Sequence, residues 1–194
     1  MFQVRIHGRG GQGVVTAAEL LSVAAFTEGK YAQAFPSFGS ERMGAPVVAF
    51  CRIDERDIRS REPIMAPDAL IIQDPTLLHS VDVFDGLATQ GYLLINSART
   101  FHALGIDELA AGLPEGHARY IAATELALAH VGRPIPNAAL LGAFAALTGL
   151  LSLEAVCAAI RERFPGTTGE RNCAAARAAF AAIEAPQAEE VAIC

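Results

Sequence analysis

The chain has 194 residues, 52% of them hydrophobic, with a formal net charge of −6 and a sequence pI near 5.3. That length and apolar content suffice for one sizeable core, so a single domain is expected. Lysine is almost absent and the arginines are scattered, so no basic surface could displace the counterions of a nucleic acid. A local anion site at a helix N-terminus remains open, because backbone N–H groups need no net positive charge.

In chain order, Val4 to His7 reads as a first strand and Gly8 to Gly13 as a turn. Val14, Val15, Ala17, Ala18, Leu21, Ala24 and Ala25 then repeat at helical spacing until Gly29 stops the helix. Tyr31 to Phe35 is the second strand. The stretch from Pro36 to Pro46 has neither period, with two Pro, two Gly and the adjacent pair Glu41-Arg42, and reads as a loop. Val47 to Ile53 is the next strand, and Asp54 to Pro67 is charged and bounded by proline. Ala69 to Gln73, ending at Asp74-Pro75, and Gly91 to Asn96 are short apolar runs of the kind buried central strands show. Tyr120 to Ala122 gives a last strand.

From Thr124 onward the chain reads as helical. Asn137 is placed to cap an apolar helix over 138–150, and Ser152 the next, whose Leu153, Val156, Cys157, Ile160 and Phe164 form one stripe. Thr167 and Glu170 have the capping-box spacing for a final helix to about Ile183. The helix over 138–150 lacks a polar face and must be buried, either within its own fold or in part by a partner approaching Gly142, Ala145, Ala146 and Gly149. It is too short for a bilayer span of roughly 20 residues. Together these signals predict an α/β fold over residues 1–185, with a mostly parallel sheet flanked by helices and a helical C-terminal third. Residues 186–194 read as a tail or a partner-binding extension. Met1 leads directly into the first strand with no export-signal pattern, so a cytoplasmic, membrane-free protein is expected.

Two loops carry what chemistry the sequence offers. Gly8-Arg9-Gly10-Gly11-Gln12-Gly13 fits G-x-G-x-x-G between a strand and a helix, where glycines allow close approach to orphan amides. The pattern alone would suit a dinucleotide, a mononucleotide, a partner's loop or a plain tight turn. A nicotinamide site also needs an acid at the end of the second strand, and Gln33-Ala34-Phe35-Pro36 supplies none. Phe38 to Pro46 follows the second strand and is therefore expected at the same sheet edge as the glycine turn, with Arg42 as a candidate phosphate or carboxylate ligand. Glu41 and Arg42 could instead make structural ion pairs with other groups of the chain.

Catalytic patterns are missing. Cys51, Cys157, Cys173 and Cys194 lack paired spacing, and His7, His79, His102, His117 and His130 lack metal-ligand spacing, so no metal or cluster is expected on this chain. A cofactor-style edge without chemistry of its own points to a subunit.

Ile6 to Gly13, Phe38-Gly39-Ser40-Glu41-Arg42 with Gly44-Ala45-Pro46, and Pro136-Asn137 with Leu140-Leu141-Gly142-Ala143 resemble the gamma subunits, or fused gamma domains, of pyruvate and related 2-oxoacid:ferredoxin oxidoreductases. The resemblance covers nearly the whole chain and implies a Rossmann-like gamma domain that is inactive alone. It implies a complex of alpha, beta and delta-type subunits using thiamine diphosphate, Mg2+, [4Fe-4S] clusters and coenzyme A to convert a 2-oxoacid to an acyl-CoA and CO2. Ferredoxin, or an added flavin subunit, would accept the electrons. Pyruvate is the first expectation for substrate, with 2-oxoglutarate, branched-chain 2-oxoacids, phenylglyoxylate and indolepyruvate as alternatives. No tightly bound cofactor is expected on this chain. Arg9, Gly10, Gly11, Gln12, Gly13, Ser40, Glu41 and Arg42 are then the candidates for the coenzyme A wall or the subunit contact. The rival reading is a free-standing Rossmann-like dinucleotide-binding protein.

Overall fold

The computed structural model describes residues 1–37 and 43–185. Its spine is a six-stranded sheet in the order β2-β3-β1-β4-β5-β6. The strands are β1 (Phe2–Arg9), β2 (Tyr31–Pro36), β3 (Pro46–Asp54), β4 (Ala69–Ile72), β5 (Tyr92–Asn96) and β6 (Ala118–Ile121). β1, β4, β5 and β6 pair in parallel, whereas β3 is antiparallel to both β1 and β2. β2 therefore runs in the same direction as β1, and both strands end at the same edge.

The inner strands β4 and β5 are almost wholly apolar because both faces are covered. Val4, Ile6, Ala49, Cys51, Ile53, Ile71 and Leu94 face one core, closed by α1 (Val14–Thr27), α5 (Asn137–Thr148), α6 (Leu153–Arg163) and α7 (Thr167–Glu184). Their neighbours Leu70, Ile72, Leu93 and Ile95 face a smaller core on the other side. That second core is closed by the 75–90 segment and the short helices α2 (Phe101–Leu104) and α3 (Asp107–Ala111). α4 (Ala123–Val131) follows β6.

Two buried arginines hold the charged 55–85 region onto the sheet. Arg5 donates to the carbonyls of Ile64 at 3.3 Å and Val83 at 3.1 Å, and to that of Asp85. Arg52 donates to the carbonyl of Glu62 at 2.6 Å and to Gln3 Oε1 at 3.3 Å. The irregular backbone on either side of β4 thereby has carbonyls satisfied that would otherwise face apolar strands.

The apolar helix α5 is buried by its own fold, Asn137 to Ala145 being buried without interruption. α7 crosses it at Gly142, where an added Cβ would lie 2.6 Å from the Ala176 carbonyl carbon and 2.7 Å from its Cα. The partner-facing role considered for this stretch is thus not needed to explain its composition.

Two caps differ from the sequence expectation. Ser152 does cap α6, accepting from the Ala155 N–H at 3.1 Å. Asn137 instead lies inside α5, whose N-cap is Pro136. The capping box at Thr167 does not form, because α7 begins one residue earlier at an N-cap glycine, Gly166, and Glu170 is taken by Arg161 at 2.6 Å. No described helix is long and apolar enough to cross a membrane.

Candidate functional site

The glycine turn sits where β1 meets α1. Gly11 and Gly13 have φ of 94° and 73°, left-handed conformations that a side chain would strain. Gly13 is the N-cap of α1 and offers no side chain to its first-turn amides, and no acid lies in that turn. The positive end of α1 is therefore open to an outside acceptor.

The stem of the second loop lies directly against this turn. Gly10 N–H donates to the Ala45 carbonyl at 2.9 Å, and Gly44 N–H donates back to the Gly10 carbonyl at 3.1 Å. Gly10 also bridges Met43, whose side chain is exposed beside Gly11. The two glycine-bearing segments thus share one edge of the sheet. Ser40, Glu41 and Arg42 lie outside the described residues.

Arg9 and Gln12 turn their side chains into the fold. Gln12 Oε1 accepts the Arg9 N–H at 2.8 Å while its Nε2 donates to Asp74 Oδ2, also at 2.8 Å. Arg9 pairs with Asp74 at 3.3 Å, donates to Thr76 Oγ1 at 2.7 Å and reaches the Gly44 carbonyl at 3.0 Å. Burial works against the charge on Asp74, but the Thr76 hydroxyl and N–H, the Gln12 amide and Arg9 together hold its carboxyl below the ordinary value. Asp74 thus clasps both loops. Sequence reading treated it only as the end of a strand, although an acid closing the apolar run of β4 was the available signal.

A cleft of about 380 Å³ opens beside Gly11 and Gly13. Arg133, Asn137, Arg171 and Asn172 line its other walls, together with apolar atoms of Ile135 and Phe164. Neither Arg133 nor Arg171 makes an ion pair or hydrogen bond among the described residues, and no Asp or Glu lines the cleft. None of the four polar residues was singled out as a ligand from the sequence, since Asn137, Arg171 and Asn172 sit in helices and Arg133 in the α4–α5 connection, all far from the glycines in the chain.

Elsewhere, His7 is buried with its Nε2 unpartnered. Burial first, and Arg5 second, push its pKa down to about 4. Among the described residues no three His, Cys, Asp or Glu side chains come together as a metal cradle. Cys51, Cys157 and Cys173 are buried free thiols, which do not fit the ligand set of an iron–sulfur cluster.

The family described as pyruvate ferredoxin/flavodoxin oxidoreductase matches residues 3–182. The chain belongs to that family. It is 48% identical over 180 residues to the pyruvate synthase subunit PorC of Methanothermobacter marburgensis, covering 93% of this chain and 96% of that one. It is 49% identical over 180 residues to the pyruvate/ketoisovalerate oxidoreductases common subunit gamma of Pyrococcus abyssi, with the same coverage of 93% and 96%. Among solved structures, the pyruvate oxidoreductase subunit PORC of Thermotoga maritima superposes with a TM-score of 0.77 at 36% identity, covering 93% of this chain and 95% of that one. The 2-oxoglutarate:ferredoxin oxidoreductase of Magnetococcus marinus, solved with 2-oxoglutarate, coenzyme A and succinyl-CoA, shares the fold with a TM-score of 0.72 at 17% identity. The match there covers 93% of this chain and 31% of that longer one. The chain is therefore a gamma-type subunit of a multi-subunit pyruvate/2-oxoacid:ferredoxin oxidoreductase, working as part of a complex.

Proposed function

We propose that this chain is the non-cluster gamma subunit of a thiamine-diphosphate-dependent enzyme that oxidatively decarboxylates pyruvate to acetyl-CoA and CO2. Its glycine turn and the 37–45 loop form the face turned toward the catalytic subunits and the coenzyme A entrance. The observation that carries this reading is the meeting of the two glycine-bearing segments at one sheet edge, Gly10 to Ala45 and Gly44, beside an uncapped helix N-terminus. Ligands of open α/β sheets sit at that edge.

In the complex, thiamine diphosphate would supply the carbanion chemistry and iron–sulfur clusters the electron path, both on other chains. The part played by this chain is positional. Asp74, through Arg9 and Gln12, fixes the turn and the stem of the loop as one rigid body. Gly10, Gly11 and Gly13 leave backbone free of side chains for close approach, and Ser40, Glu41 and Arg42 add polar groups for the same contact. The name of the Pyrococcus abyssi relative, a subunit common to pyruvate and ketoisovalerate oxidoreductases, supports placing substrate choice on the partner chains.

Co-expression with alpha, beta and delta-type chains, followed by purification on a tag carried by this subunit, tests the reading. The expected result is an assembled enzyme that turns over pyruvate only with coenzyme A present. Arg42→Ala in that assembly is expected to raise the Michaelis constant for coenzyme A or to loosen the complex. An Arg42→Ala enzyme unchanged in both respects removes the loop's proposed role, and turnover by the isolated chain removes the subunit reading.

A further inference from the structure

The two edges of the sheet are finished differently. β6, at one edge, is four residues long and carries Arg119, the short and charged form that keeps an edge from pairing. β2, at the other, runs for six residues, Tyr31–Pro36, with no charged side chain and an unbroken register against β3. None of the devices that blunt an edge strand is present before Pro36.

Strand register fixes which backbone groups of β2 face outward. Ser37 N–H donates to the Val48 carbonyl at 2.8 Å, so the hydrogen-bonded pairs with β3 fall at Phe35, Gln33 and Tyr31. The N–H and C=O groups of Ala32 and Ala34 therefore point away from the sheet, and among the described residues none pairs with them. At one end of this row Pro36 has no N–H; at the other, the Lys30 N–H is taken by the Ala25 carbonyl at 3.1 Å. The outward row is thus bounded at both ends and complementary to itself. Under a two-fold axis at Gln33, Ala32 of one strand lies opposite Ala34 of a second copy, and every outward N–H meets an outward carbonyl. Gln33 then faces Gln33 of the second copy in a non-hydrogen-bonded pair, with Cα atoms about 4.5 Å apart. Its Oε1 is buried without a partner, and the second amide supplies the donor that it lacks.

The helix above this edge supports the same axis. α1 packs over both β2 and β3, so a two-fold at β2 sets two α1 helices side by side at roughly 10 Å, the spacing of packed helices. α6 occupies one flank of α1, at Leu20 and Val23. The other flank carries Val15, Ser22 and Phe26 in one helical stripe, and Phe26 is 77% exposed. In the paired arrangement Ser22 falls near the axis, and Phe26 reaches the Val15 end of the second α1.

We propose that β2 is a dimerisation edge, through which two copies of this chain pair antiparallel at Ala32 and Ala34 into one continuous sheet, with their α1 helices packed across the axis. The glycine turn follows β1, the third strand from that edge, and stays open in the dimer. The proposal does not rest on the subunit reading above.

Sedimentation equilibrium of the full chain, with amide hydrogen exchange at Ala32 and Ala34, tests the edge. The expected result is a dimer in which both amides are protected, whereas a lone edge strand would exchange both freely. Ala34→Pro removes one outward N–H and leaves the β3 ladder intact, so it should give a folded monomer. Phe26→Gln, outside the strand, should raise the dimer dissociation constant about tenfold, the factor that burying part of a phenylalanine ring contributes. Should Ala34→Pro fail to fold, Phe26→Gln and the two amides of the parent chain still decide. A chain that stays monomeric at every soluble concentration overturns the proposal, as does a dimer that both variants leave unchanged. Protection of Ala32 and Ala34 that appears only on joining alpha and beta-type subunits would give the edge to a partner's strand and refute the second copy. A dimer that joins no oxidoreductase complex leaves the edge and removes the subunit reading. Assembly through a gamma chain that never self-associates does the reverse.

Discussion

Gly142→Ala adds one methyl group at the α5–α7 crossing, and the structure sets what that costs. The new Cβ would lie 2.6 Å from the Ala176 carbonyl carbon and 2.7 Å from its Cα. Carbon atoms rest at about 3.5–4.0 Å, so the two helices must part by about 1 Å. Both sides of the contact are main chain, and no rotamer change can absorb the strain. A gap of that size forfeits a quarter to a half of the dispersion attraction of the atoms lining it, which here include the buried Ala175, Ala176 and Ala179. Overpacking of this kind costs up to about 3 kcal/mol, while alanine gains about 1 kcal/mol over glycine as a helix former. The net loss of about 2 kcal/mol corresponds to a fall in Tm of roughly 4–8 °C for a chain of this size. Urea and thermal unfolding of the variant measure it, with Gly112→Ala as the control. A Cβ on Gly112 would have its nearest neighbours at 3.4 Å and its φ is −76°, so that variant should move stability by less than about 0.5 kcal/mol. Equal stability of Gly142→Ala and the parent chain would refute the close crossing.

Three further outcomes follow from the same geometry. With a folded pKa near 4 against an ordinary 6.5, His7 stays neutral in the fold while the unfolded chain takes up the proton first. Its contribution is full above pH 6.5 and is lost as pH falls through that window, by on the order of 3 kcal/mol. His7→Gln should flatten the dependence of the urea midpoint between pH 7 and pH 4, and an unchanged slope would place the loss on other groups. Gln12→Ala removes two hydrogen bonds that Asp74 and the Arg9 amide share, for a loss of about 1–2 kcal/mol. A double-mutant cycle with Asp74→Ala should give a coupling of at least about 0.5 kcal/mol, and additivity would mean that the clasp does not act as a unit. Burial pushes the Cys51 and Cys173 thiols up to about 12, so peptide mapping after iodoacetamide should find both unmodified until the chain is denatured. Labelling of either in the native protein would contradict that burial.

The elements legible in the sequence are those whose signal is local. Ala69 to Gln73 and Gly91 to Asn96 announce buried strands through apolar runs, and the glycines announce a turn that uses Gly11 and Gly13 at positive φ, although Gly8 and Arg9, read as part of it, extend β1. The shared edge of the two loops followed from strand direction alone, given that β2 follows β1 through a helix. The antiparallel placement of β3 between them was not legible, because its composition resembles that of its parallel neighbours. α2 and α3, of four and five residues, are too short to show a period. Arg9 and Gln12 stood out as candidates, but their side-chain partner Asp74 depends on β4 lying beside β1, which no spacing states. The capping-box spacing of Thr167 and Glu170 misled for a similar reason. A tertiary partner, Arg161, claimed the glutamate, and Gly166 took the N-cap position.

The cleft was least legible because it belongs to packing. Asn137 and Asn172 lie on different helices, and what brings both to one cleft is the packing of α5 against α7, which is close at Gly142 and Ala176 further along the same two helices. A glycine read first as a place for a partner to approach is filled by α7 instead, and that contact holds the N-termini of α5 and α7 beside the glycine turn of α1. Core and site are therefore coupled: a change that parts the helices at Gly142 also moves Arg171 and Asn172 away from Asn137. Gly142→Ala should accordingly loosen the first turns of α5 and α7 even at temperatures where the variant remains folded, although residue 142 does not line the cleft. Amide hydrogen exchange of those turns in the folded variant reads this directly. Protection equal to that of the parent chain would separate the packing of α5 against α7 from the geometry of the cleft.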